Sequence, residues 1–157
     1  PSSVAEAVKG ADVVINSVGV LASTGKQTFD TIHDEGARTV AKAAKAAGAR
    51  TFVHISAIGA DAQSNSKYAR SKAEGERAVL EEFPGAVILR PSIVFGPEDE
   101  FFNRFAAMAR MSPFLPLIGG GKTKFQPVYV GDVAAAVKAV VDGKAKPGTI
   151  YELGGPE

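Results

Sequence analysis

The stretch "ADVVINSVGV", residues 11–20, decides the fold. Val13, Val14 and Ile15 follow one another with no polar residue between them. An apolar run without alternation suits a strand covered on both faces, as in a parallel sheet. Upstream, Ser2 or Ser3 can cap a short helix that runs to about Lys9 and stops at Gly10. Downstream, residues 28–47, "TFDTIHDEGARTVAKAAKAA", read as a long helix. Phe29, Ile32, Val40, Ala44 and Ala47 mark its inner face, and Gly48 ends it.

The same alternation continues. "TFVHIS" (51–56) is a strand, the segment around 66–82 a helix, and "AVILRP" (86–91) a strand closed by Pro91. "DEFFNRFAAMARM" is a further helix and "FQPVYV" a short strand. "GDVAAAVKAVV" is a helix with Asp132 near its N-terminus, where a carboxylate is favourable, and "TIYEL" is a last strand. Strand and helix in turn predict α/β architecture, a Rossmann-like doubly wound parallel sheet. Ligands of such sheets sit beyond the carboxyl ends of the strands. Those ends read "NSVG", "SAIG" and "RPSIVFG", each with Gly or small polar residues after an apolar strand, and together they mark a candidate crevice.

Composition bounds the function. The 157 residues carry a net charge of +1, so no basic or acidic excess argues for a nucleic-acid partner. Cysteine is absent, which excludes disulfides, thiol nucleophiles and thiolate metal sites. His33 and His54 are the two histidines, and neither has carboxylates at ligand spacing, so structural roles are expected and no metal. No apolar run reaches the roughly 20 residues that span a bilayer. The chain opens at Pro1 directly in a helical pattern, which reads as an internal piece or a processed product. "GGGKTK" (119–124) is not a phosphate loop, because the position five before Gly121 is Pro116 and a strand follows.

The chemistry concentrates in "SNSKYARSKAEGE", residues 64–76, where Tyr68 and Lys72 stand four apart on one helix face. An ammonium beside a phenol favours the phenolate and lowers the tyrosine pKa from its usual value of about 10. That brings tyrosine into range as a general acid or base. The spacing alone is a weak signal. Its place a dozen residues after the second strand puts the helix beside the crevice.

"KYARSKAEGE", after "FVHISAIGA" and before "ILRPSIVFGPED", resembles the extended, NAD(P)-dependent epimerase/dehydratase branch of the short-chain dehydrogenase/reductase family. "FQPVYVGDVAAAV" is similar to the strand and helix that precede that branch's substrate lobe. Within the branch, "VHISAIGADAQSNSKYARSKAEGE", "FGPEDEFFNRFA" and "QPVYVGDV" are most like the NADPH-binding accessory subunits of respiratory complex I and their bacterial relatives.

The resemblance implies one partial dinucleotide-binding domain over 1–157, lacking its N-terminal half, with segments of the substrate lobe at about 97–125 and 143–157. It implies NADP(H) or NAD(H) as cofactor. Tyr68 becomes the acid/base tyrosine, and Lys72 holds the nicotinamide ribose and lowers the tyrosine pKa. Val18 and Gly19 lie along the cofactor, and Pro91, Ser92, Ile93 and Val94 approach the nicotinamide. The implied setting is cytoplasmic, or peripheral on the cytoplasmic or matrix face of the inner membrane.

Two departures stand out. Family members place Ser or Thr late in the pair after the second strand, to hold the substrate oxygen. Here the pair is Ser56-Ala57, and Ala57 takes that slot, leaving Ser56 or Ser66 to substitute. Loss of one positioned donor costs on the order of a hundredfold in rate. The glycine-rich pyrophosphate fingerprint is also missing, and its expected place is upstream of Pro1.

Two functions follow: an NAD(P)(H)-binding module with a structural or regulatory role in a respiratory assembly, or an NAD(P)-dependent oxidoreductase or epimerase/dehydratase using Tyr68, Lys72 and Ser56. The stretch 101–118, with Phe101, Phe105, Met108, Phe114, Leu115 and Leu117, reads either as burial against the substrate lobe or as a contact for complex I subunits or a membrane surface.

Overall fold

The structure, a computed structural model, describes residues 2–99, 101–112, 114, 120 and 122–156. Leu115 and Leu117, and with them part of the 101–118 contact reading, lie outside the described residues.

Four parallel strands form the main sheet in the order β1 (Val13–Asn16), β2 (Thr51–Ile55), β3 (Val87–Pro91) and β6 (Ile150–Leu153). Between β1 and β2 the chain makes a π-helical segment, Asp30–Gly36, that runs into α2 (Ala37–Ala46). Between β2 and β3 it makes α3 (Lys67–Glu82). After β3 it leaves the sheet for β4 (Val94–Phe95), α4 (Phe102–Met111) and β5 (Val128–Tyr129), and returns through α5 (Val130–Val141) to β6. The strands β4 and β5 pair in parallel as a separate two-stranded sheet. A short α1 (Ser2–Ala7) ends at Gly10, whose φ of 73° suits glycine.

The expected α/β sheet is therefore present, with helices on both faces. On one face Val14, Phe52 and Ile88 pack with Ala37, Ala41 and Ala44 of α2 and Val79 of α3. On the other, Val53, Val87 and Leu89 pack with Val140 of α5. Consecutive apolar residues of β2 and β3 thus bury on alternate faces, which is why those runs lack polar alternation.

The run that opened the sequence reading departs from this. Val14 is buried, but Ile15 is 48% exposed. The helix on that face, α5, packs over β2 and β3, so among the described residues β1 is covered on one face and paired on one edge. The last strand expected at "TIYEL" is β6, which pairs in the main sheet beside β3.

The long helix also differs in phase. Its buried residues are His33, Ala37, Ala41 and Ala44, while Ile32 and Val40 are only partly covered. The π-helical turns widen the helix and bring His33 onto the inner face.

One ion pair ties α3 to the sheet. Arg90 of β3 donates through Nε and Nη2 to the two carboxylate oxygens of Glu76 at 2.9 and 2.7 Å. Its Nη1 reaches Glu152 of β6 at 3.2 Å. Glu76 is almost fully buried, so its charge depends on this fork. Arg90→Met is expected to destabilise the protein by about 3 kcal/mol, because it strands a buried carboxylate. Arg90→Met with Glu76→Gln recovers much of the loss in urea unfolding. Equal stability of the single and double variants would contradict this account.

Candidate active site

The carboxyl ends of β2 and β3 are stitched together past the last ladder pair. The Ser56 amide donates to the Leu89 carbonyl at 2.7 Å, and the Ile58 amide to the Pro91 carbonyl at 3.0 Å. These ends, with α3 beside them, wall a cavity of ≈ 630 Å³. It is lined by residues 55–58 and 91–94 together with Tyr68, Leu21 and Phe101. Of the residues expected at the site, Ser56, Tyr68, Pro91, Ser92, Ile93 and Val94 meet on this one cavity.

Lys72 lies behind it. Its ammonium is buried and donates to the Ile55 carbonyl at 3.0 Å. A lysine carries three such donors, and among the described residues this is its one hydrogen bond. Gly19 passes close by: a Cβ there would stand 3.9 Å from Lys72 Nζ and 3.5 Å from His33 Nε2. Val18 is off the cavity and 60% exposed, its amide bonded to Asn16 Oδ1 at 3.3 Å.

The expected lysine-to-phenol coupling is not what moves Tyr68. Burial pushes the phenol above its ordinary value. Burial pushes Lys72 down, opposed by the charge of Glu76. The phenol ring is half-buried against aromatic neighbours, and that burial disfavours the phenolate. Phe29 and His33 meet it edge-on, with centroids 5.9 and 5.6 Å away.

His33 is a site-building residue that sequence reasoning did not bring to the site, and Asn16, marked there only as part of "NSVG", is a second. The Val20 amide donates to His33 Nε2 at 3.0 Å, so that nitrogen is the acceptor. Nδ1 then carries the proton and donates to Ser71 Oγ at 2.9 Å, and Ser71 passes its own hydrogen to the Tyr68 carbonyl at 2.8 Å. Asn16 Oδ1 takes the Val18 amide, so its Nδ2 is the donor to His54 Nδ1 at 3.1 Å. His33 thus bridges the Val20 amide and Ser71, while His54 accepts from Asn16. The available signal was spacing: His33 falls in line with Ala37, Ala41 and Ala44, a polar residue on an apolar face.

Ser56 Oγ is buried and has no hydrogen-bond partner among the described residues. Ser66, the other candidate, is exposed and caps α3 by accepting from the Ala69 amide at 3.4 Å. Ser56 is therefore the hydroxyl left free beside Tyr68, with Ala57 also on the cavity wall.

The model of the NAD dependent epimerase/dehydratase family matches residues 1–154. The chain belongs to the NAD-dependent epimerase/dehydratase family. It is 43% identical over 149 residues to subunit 9 of the NADH dehydrogenase (ubiquinone) 1 alpha subcomplex, mitochondrial, of Arabidopsis thaliana, covering 94% of this chain and 37% of that one. It is 36% identical over 139 residues to a ceramide reductase of Caulobacter vibrioides, covering 88% and 43%. Among solved structures it superposes on a UDP-glucuronic acid 4-epimerase of Bacillus cereus in complex with NAD, at a TM-score of 0.85 and 22% identity, over 98% of this chain and 57% of that one. This last likeness concerns the fold. The chain spans about two-fifths of the length of the two curated relatives. Among the described residues no group of three or more His, Asp or Glu is placed to hold a metal, and no helix is long and apolar enough to cross a membrane.

The buried cluster of this family member has a pH signature. Burial, then the charge of Lys72, then that of His33 push His54 down to about 3. His33 is lowered by burial and by Lys72. The unfolded chain therefore binds protons that the fold refuses. The stability held in the neutral imidazoles is complete above pH about 6.5 and is lost as the pH falls toward 3. In urea unfolding of the full-length protein between pH 6.5 and 4, His54→Gln is expected to flatten the slope by up to about 1.4 kcal/mol per pH unit. An unchanged slope would contradict the assignment.

Proposed function

We propose that the chain is the NAD(P)(H)-binding part of a protein of the respiratory complex I accessory-subunit type, in which the dinucleotide serves structure or regulation. The observation that carries this reading is the buried Lys72 ammonium. It is held at the Ile55 carbonyl with two donors to spare, under the backbone of Gly19. Those donors suit a pair of ribose hydroxyls, and the small residue at 19 lets a flat ligand come near. On this reading Lys72, Tyr68, Gly19 and Val18 hold the nicotinamide ribose end of NADP(H) or NAD(H), and Ser56 and residues 91–94 flank the ring. Ala57, in the slot that bears a hydroxyl in active relatives, and the 43% identity to the Arabidopsis subunit favour the structural role. Residues 97–125 belong with the substrate lobe. The protein then works peripherally, on the matrix or cytoplasmic face of the inner membrane.

A second reading rests on Ser56 Oγ, the buried hydroxyl without a partner. It makes the protein a reductase or epimerase/dehydratase of a small molecule, as the name of the Caulobacter relative suggests. A bound nicotinamide supplies or accepts the hydride. Ser56 would hold the substrate oxygen and Tyr68 would exchange a proton with it. A phenol kept protonated by burial is suited to giving that proton, the direction of carbonyl reduction.

The test uses the full-length protein, with NADPH and NADH titrated separately. Lys72→Met is expected to weaken dinucleotide binding about tenfold or more, the effect of losing charge-assisted hydrogen bonds. Tyr68→Phe is expected to stay within about threefold of the parent, since it removes one hydroxyl at the margin of the ribose. Bound NADPH should persist unoxidised with candidate carbonyl compounds, and the protein should co-purify with the NADH dehydrogenase complex. Unaltered binding by Lys72→Met sinks the site assignment. Oxidation of bound NADPH that Tyr68→Phe abolishes moves the conclusion to the second reading.

A further inference from the structure

We infer that the cavity at Tyr68 and Ser56 takes the polar head of a compound whose long hydrocarbon tail lies along α4, a lipid-like carbonyl or alcohol rather than a sugar. The inference rests on the reading that this cavity is the reacting or ligand-facing end of the dinucleotide site. Three polar side chains, Ser56, Tyr68 and Ser92, stand on its wall, and the remainder is hydrocarbon. A sugar ring brings several hydroxyls, and each one buried without a partner opposes binding. A single oxygen meets its needs with Tyr68 and Ser92, and with Ser56 once its buried hydroxyl turns outward.

The cavity does not stop there. Leu21 and Phe101 also line a second space, of ≈ 770 Å³, whose floor is Phe105 and Met108 of α4. The Phe101 ring is braced at this junction by Phe102, Phe105 and Phe125, with centroids 5.1, 5.3 and 5.9 Å away. Leu21, 87% exposed among the described residues, lines both spaces. The polar residues of the second space are mostly spent. Asp99 accepts the Phe102 and Asn103 amides, and Asn103 Nδ2 donates to the Pro97 carbonyl at 3.0 Å. Only Arg104, at the exposed rim, keeps free donors among the described residues. Two spaces that share Leu21 and Phe101, one with hydroxyls on its wall and one apolar with a charged rim, match a single-headed, long-tailed molecule.

The test is displacement of a dansyl-labelled fatty alcohol from the full-length protein, with and without NADPH, by octanal, dodecanal, hexadecanal and UDP-glucose. The aldehydes are expected to compete with affinity rising several-fold for each added pair of carbons. UDP-glucose should not compete. Phe105→Glu and Met108→Glu, on the exposed helix, are expected to weaken hexadecanal at least tenfold and to leave NADPH binding unchanged. NADPH binding without aldehyde binding overturns the inference and leaves the dinucleotide reading intact. Competition by UDP-glucose alone overturns it in favour of a nucleotide sugar. Binding to phosphatidylcholine vesicles that Phe105→Glu abolishes, without capture of dodecanal, also overturns it, since the face then docks on a membrane. Aldehyde binding without NADPH binding upholds the tail groove and sinks the dinucleotide reading.

Discussion

Everything at the candidate site hangs on how closely α3 approaches the π-helical segment. Position 75 has no room for a side chain: a Cβ there would lie 2.1 Å from the His33 carbonyl oxygen. Only glycine lets the helices come this near. Once they do, Ser71 reaches His33 Nδ1, Lys72 reaches the end of β2, and Tyr68 is walled by Phe29 and His33. One missing methyl group on α3 thus positions three side chains, all on the turns that precede it. The π-helical turns supply the other half of the fit by swinging His33 inward.

That approach buries charge, and the cluster is arranged to tolerate it. The Lys72 ammonium sits near two imidazoles, and a second positive charge there would be repelled. Both histidines are accordingly held neutral, each with its acceptor nitrogen already filled, by the Val20 amide in one case and by Asn16 in the other. Glu76, one turn beyond Lys72, supplies compensating negative charge but is itself neutralised by the Arg90 fork. The inner face of α3 therefore carries a polar series, Ser71, Lys72 and Glu76, each with its own partner, before it becomes apolar at Ala78 and Val79. Such a face is expensive unless every member is satisfied.

Much of this was legible in the residue pattern. The strands begun by Val13–Ile15 and at 51–56 and 86–91, and the helix around 66–82, follow from apolar runs and strand–helix alternation, because the strands are packed in hydrocarbon. The meeting of Ser56, Tyr68 and residues 91–94 on one cavity is what the family resemblance implies, with Ser56 and 91–94 after strands and Tyr68 on α3. What was hidden depends on close contacts between distant segments. The inward turn of His33 needs a glycine 42 residues on, and no periodicity within one helix reports that. The exposure of Ile15 depends on where α5 lands, which the β-branched run cannot express. The raised phenol of Tyr68 departs from the expectation drawn from i, i+4 spacing, because burial of the ring outweighs it.

The pair Ser56-Ala57 carries the remaining weight. Sequence position gives the oxygen-holding role to residue 57, and alanine cannot fill it. Geometry places both residues on the cavity wall, and it is residue 56 that has the unengaged hydroxyl. A buried hydroxyl without a partner is a standing cost, of order 1 to 3 kcal/mol, that a fold has no structural reason to keep. An alanine at 56 as well as at 57 would remove it. On the second proposed reading, that cost goes with a site that grips one oxygen. On that reading the hydroxyl, on a mostly apolar wall that also carries Phe101, belongs to a cavity that receives a second molecule beside the cofactor.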